Sequence, residues 1–293
     1  MIDLEKLNTY PIKERKNLVS VKDFKRLDSL YEPCADPSLK KLAQSMIQAK
    51  KGKRKTILMF GAHLIKLGLS PYIIELMRQG FISHLATTGA GSIHDFEISF
   101  IGATSEDVSS SIEDGRFGMA RETPLMMNTA INESTAGYGD AIAGLVRDKN
   151  LKFKEYSIFY HASVLGIPLT VHVAIGTDII HQHPSCDGAA LGRASYNDFK
   201  TFVGSVASLQ DGVIINLGSA VVLPEVFLKA LSISRNLGYK VSNFTAANLD
   251  MISHYRPTVN VLNRPTATSG QGLNVIARHE STIPTLYHYV TEA

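Results

Sequence analysis

The stretch SHLATTGAGSIHDFE, Ser83–Glu97, decides how this chain is read. It opens as an apolar β-type run, HLATT, passes directly into small residues, and reaches His94 and Asp95 as helical periodicity takes over. A strand ending in glycine and alanine lets a ligand approach the backbone, and the amides of a following helix start favour anions. This reading leaves the small residues in a loop and starts the helix near Asp95.

Working outward, the same grammar recurs on both sides. TILMFG (56–61) is a short apolar run of the kind buried on both faces, preceded by a helix capped by Asp36 and Pro37. PYIIELMRQG (71–80), YSIFYHASVLG (156–166), SYNDFKTFVGSVASLQ (195–210) and PEVFLKALSISRNLG (224–238) read as helices. IPLTVHVAIG (167–176), GVIINLG (212–218) and YKVSNFT (239–245) read as strands. Residues 102–150 show no clear strand, and HYRPTVNVLNRPTATSG (254–270) reads as a loop-like tail. Strands alternating with helices predict an α/β fold with a doubly wound, mostly parallel sheet and helices on both faces. The chain is expected to form a single domain over 1–293, with 1–35 as an N-terminal arm.

Ligands bind beyond the carboxyl ends of strands in such sheets. The candidate tips are Gly61, Ala62 and His63; Thr88, Gly89 and Ala90; Gly176 to Asp178; Gly218 and Ser219; and Thr245 and Ala246. Several small or polar tips in one sheet predict a bound nucleotide. Asp178 is suited to accept hydrogen bonds from ribose hydroxyls or to bind an amine.

Composition narrows the partners. The 293 residues are 44% hydrophobic and 19% charged, with a formal net charge of +3. The one basic cluster, KKGKRK (50–55), has no interleaved aromatics and reads as solvated charge between a helix and a strand, so no nucleic-acid partner is expected. No apolar run approaches a membrane span, and the opening residues are too charged for a signal peptide. Two cysteines, Cys34 and Cys186, fit free thiols of a cytoplasmic protein.

ILMFGAHLIKLGLSPYIIELMRQGFISHLATTGAGSIHDFE, with IPLTVHVAIGTD and GVIINLGSAVVLPEVFLKALSISRNLGYKVSNFTAANLD, resembles the deoxyhypusine synthase family. The resemblance runs from about residue 56 to 250. It implies NAD as cofactor, a Rossmann-like site, a homotetramer, and transfer of an aminobutyl group from spermidine to a lysine. By position it implies that Thr88, Gly89, Ala90, Asp178, Gly218, Ser219, Thr245 and Ala246 line the dinucleotide, and that Asp250 faces the amine. It breaks at the chemistry. No lysine follows Lys240, the chain has no tryptophan, Ile93 and His94 stand where an acidic pair is expected, and Pro224 stands where the family has a histidine. A guanidinium cannot replace a nucleophilic lysine.

The expected function is therefore an NAD-dependent transferase or oxidoreductase, acting on a small amine or alcohol by hydride abstraction without an enzyme-lysine imine. His94, Asp95, His183 and Asp250 are the candidate catalytic residues. His63 and His94 could take a proton at their strand ends, whereas His172 reads as a core residue. Two alternatives stand beside it. HQHPSCD places His181 and His183 two apart, near Cys186 and Asp187, a pattern open to a metal-dependent hydrolase or lyase. A non-catalytic NAD-binding oligomer is the other. Met126 and Met127 read as core or subunit contact, and Arg256 and Arg264 either grip an anion or are loop charges.

Overall fold

The computed structural model describes residues 3–292. Its strands are β1 Asn17–Ser20, β2 Thr56–Phe60, β3 His84–Thr88, β4 Ala103–Glu106, β5 Leu169–His172, β6 Val213–Leu217, β7 Thr245–Asp250 and β8 Gln271–Ile276. The helices are α1 Pro37–Lys51, α2 His63–Lys66, α3 Ser70–Arg78, α4 Gly89–Ile101, α5 Val108–Ser111, α6 Glu122–Glu133, α7 Tyr138–Asp148, α8 Ile158–Leu165, α9 Gly188–Ala207, α10 Val222–Asn236 and α11 His279–Thr291.

Every residue of β2, β5, β6 and β7 is buried, as expected for strands covered on both faces. Side-chain alternation splits β2 between two cores. Leu58 and Phe60 pack with α1, α3 and α11; Ile57 and Met59 pack with Phe202 of α9 and Phe227 of α10. The order β5-β3-β2-β6-β7-β8 is parallel throughout. Counted along the chain, these six strands run 3-2-1-4-5-6, the Rossmann order, with its switch point between β2 and β6. The fold class is the one predicted. Asn216, Asn248 and Asn274 occupy one register position on β6, β7 and β8 and hydrogen-bond in series at 2.8 and 2.9 Å, pinning the strands one or two residues before their tips.

Four boundaries differ from the sequence reading. The small residues after β3 are not a loop: α4 begins at Gly89 with Thr88 as its cap. β7 starts at Thr245, where the predicted strand was to end. β1 pairs antiparallel with β4 inside the segments read as arm and as strandless. The tail holds a π-helical turn, Pro257–Asn263, and β8 follows directly after the tail.

Candidate functional site

The carboxyl tips of β2 and β6 meet at the switch point. Gly61 packs so tightly that a side chain there would collide with the Gly218 carbonyl oxygen. Gly218 has φ +66°, and a methyl on it would sit 2.8 Å from His279 Nε2. His63 opens α2, its ring centroid 6.1 Å from that of His279. Asp250 closes β7 and is buried. His279 is 1% exposed, its Nδ1 has no partner, and burial lowers its proton affinity. His279 was missed in the sequence because β8, the strand that delivers it, follows the stretch read as a loop-like tail and was assigned to no element.

One strand over, Thr88 Oγ1 accepts from Gly91 N at 3.4 Å and seats the first turn of α4. A side chain on Gly89 would collide with the Asp178 carboxylate. Asp178 is 8% exposed and its Oδ2 has no partner, so burial pushes its pKa up to about 6. His181 holds this turn. Its Nδ1 accepts from the amides of Gly176 and Asp178 at 3.1 and 3.2 Å, which leaves the proton on Nε2, 3.8 Å from Asp178 Oδ2.

Ala90, His94 and Asp178 line a cleft of about 450 Å³ with Lys66 of α2, Glu97 of α4 and Arg15 of the arm. His63 and Lys66 belong to one short helix, so α2 links the switch point to this cleft. The His94 tautomer follows from its partners. Thr104 Oγ1 donates to Glu97 Oε2 at 2.6 Å, so it accepts from His94 Nδ1 at 2.7 Å and leaves Nε2 unprotonated. Burial, ahead of all other causes, lowers His94 to about 4. Glu97 also binds Arg15 Nη1 at 2.6 Å and Thr123 at 2.9 Å, with the Arg15 and Glu97 side chains 1% and 2% exposed.

Other predicted residues lie elsewhere. Thr245 and Ala246 sit at the amino end of β7, paired with Val213 and Ile214, and so face the opposite edge of the sheet from Gly89. Asp95 is fully buried and turned from the cleft. Its carboxylate accepts from the Ser157 hydroxyl, from Ile158 N at 2.7 Å and from Phe159 N at 3.4 Å, capping α8. His183 Nδ1 engages Ser185 at 2.7 Å and does not line the cleft. Asp187 caps α9 through Ala189 and Ala190. Thus HQHPSCD is a turn-forming segment, and among the described residues no three His, Cys, Asp or Glu side chains gather as a metal site. Arg256 pairs with Glu225, Arg264 with Asn260. His172 lies in the core against Thr170.

No protein-family profile matches this chain, and no curated protein matches it. Solved structures do. A conserved protein assigned as LOR/SDH from Methanococcus maripaludis S2 is similar over 92% of this chain and 72% of its own, with TM-score 0.58 and 14% identity. AgrE, solved with ornithine and NAD+, is similar over 87% of this chain at TM-score 0.57 and 14% identity, and the match takes in only 32% of AgrE. A protein assigned as a deoxyhypusine synthase from Entamoeba histolytica superposes at TM-score 0.48 and 10% identity, too loosely to argue from. What these structures share with the chain is the fold. No helix among the described residues is long and apolar enough to cross a membrane.

Proposed function

We propose that this chain binds NAD along the carboxyl edge of its sheet and oxidises a small amine or alcohol. The observation that carries this reading is the 3-2-1-4-5-6 strand order, whose switch point lies between two glycine tips, Gly61 and Gly218. The residues fit a dinucleotide: Gly89 and Ala90 bring no bulk to the start of α4, and Asp178 Oδ2 is a buried acceptor without a protein donor. Asp178 would take ribose hydroxyls, and the start of α4 would hold the phosphates. When bound, the nicotinamide supplies a hydride acceptor. His94 Nε2, held unprotonated through Thr104 and Glu97, accepts the proton of the substrate N–H or O–H. At the switch point, His63 and His279 stand beside the Gly61 and Gly218 tips, and Asp250 closes the neighbouring strand. The NAD bound to AgrE, which shares this fold, supports the reading.

No lysine follows Lys240, so the reading keeps a reaction without an enzyme-lysine imine. It also takes the chain as a homotetramer, a state that light scattering tests directly; Ile175, Ile252 and Tyr255, all more than 60% exposed at strand tips, offer apolar contact area. Calorimetry with NAD, followed by absorbance of reduced cofactor over a panel of amines and alcohols, tests the function. Binding with reduction by one substrate class supports it. Binding with no reduction favours the non-catalytic oligomer, and no binding removes both readings.

A further inference from the structure

We infer that the substrate of this cleft carries a carboxylate, which Arg15 and Lys66 seat beside His94. The inference rests on the proposed cleft and names its substrate class: small 2-hydroxy or 2-amino acids.

The acids and the cations of the cleft differ in how fully the protein satisfies them. Four carboxylates line the cleft: Glu97, Glu106, Asp107 and Asp178. Three of them are saturated by the protein. Glu97 holds Arg15, Thr104 and Thr123. Glu106 accepts from the Tyr10 hydroxyl at 2.9 Å and from Gly118 N at 3.0 Å. Asp107 pairs with Lys16 at 2.7 Å and accepts from Ser109 at 2.8 Å. The cations are not saturated. Arg15 gives Nη1 to Glu97 and Nε to Asn17, but its Nη2 is buried with no partner, on a side chain only 1% exposed. Lys66 Nζ forms no ion pair or hydrogen bond with the described residues, although it lines the same cleft.

A buried guanidinium nitrogen with an unused donor carries the desolvation cost of that donor, which an anionic acceptor removes. Both cations lie near enough to His94 to oppose its protonation. A carboxylate placed between them lies next to the imidazole nitrogen that accepts a proton, so an adjacent hydroxyl or amine reaches Nε2. The dinucleotide phosphates are the other anions at hand. They are assigned to the start of α4, where Ala90 lines the cleft, whereas Arg15 is anchored to Glu97 and to Asn17 of the arm.

The test uses the full chain and matched probes: lactate and alanine, beside isopropanol and isopropylamine, which lack the carboxylate. Binding is measured by calorimetry with and without NAD. Lactate or alanine is expected to bind at least about tenfold more tightly than its partner. Lys66→Gln, on a half-buried side chain, is expected to remove most of that difference, and Arg15→Lys, which keeps a cation for Glu97, to reduce it. The His94 ring resonances should also titrate at higher pH with the acid bound, because an adjacent anion favours imidazolium. Equal affinity for each pair would overturn the inference, as would Lys66→Gln weakening NAD while leaving the acids untouched. If the acids bind and NAD does not, the inference holds and the NAD reading fails.

Discussion

At the scale of single residues, His94 and Asp95 show why adjacent positions can have unrelated roles. Once α4 starts at Gly89, neighbours on it diverge by about 100°, so only one of the two can face the cleft. His94 does, and Asp95 points into the core. The sequence displayed both polar groups at a strand end, but not the helix phase, because Gly-Ala-Gly scores as loop when judged alone. His94→Asn is expected to lower turnover by about 10²- to 10⁴-fold with NAD affinity kept. Since the neutral imidazole is the working form in this proposal, wild-type kcat/KM, which follows the free enzyme, should rise with pH through about 4 and then level off, as steady-state kinetics across pH will read. Asp178 gives the complementary dependence. Its carboxylate ionises above about 6, and the ionised form is the stronger acceptor, so NAD affinity should increase as pH rises through that value. Asp178→Asn should flatten the increase in calorimetric titrations at several pH values.

At the scale of elements, buried carboxylates join segments distant in sequence. Asp95 ties α4 to the first turn of α8 with three donors. Asp198 of α9 joins Gly139 of α7 to Val171 of β5 at 2.9 and 2.7 Å. Asp95→Ala leaves two buried amides and a hydroxyl unpaired, and should cost about 1–3 kcal/mol in equilibrium denaturation without changing NAD affinity. A large loss of NAD affinity in a folded Asp95→Ala protein would return Asp95 to the site. The strands most legible in the sequence were those with apolar runs, such as ILMF in β2 and VII in β6. β7 was misplaced because TAANLD carries small and polar residues where its tip and its asparagine rung need them, whereas YKVSNFT has the stronger β composition. That shift moved Thr245 and Ala246 from one edge of the sheet to the other.

At the scale of the whole molecule, the arm walls the cleft through Arg15 and Leu18. Residues 1–35 looked peripheral because their composition is polar, and no local pattern marks Arg15 as the partner of a residue 82 positions away. The Arg15–Glu97 pair is buried at the wall of the cleft, so removing one side leaves a buried charge. Arg15→Ala should destabilise the protein by about 3–5 kcal/mol, and Arg15→Met with Glu97→Gln should recover part of that loss, as read by chemical denaturation. If Arg15→Ala unfolds like wild type, the arm is not the wall of the cleft. The fold itself was readable because strand and helix alternation constrains topology strongly. The pairing of side chains across that topology was not, since it depends on which tips converge at the switch point.

The account depends on a dinucleotide lying across the tips of β2, β3 and β6. Its most direct test is calorimetry of NAD binding to wild-type protein and to Gly89→Ala, in which the added methyl collides with Asp178. A single NAD site in the wild type, weakened at least about tenfold in a folded Gly89→Ala protein, is the expected result. Absence of NAD binding in the wild type, or equal affinity in the two proteins, would contradict it.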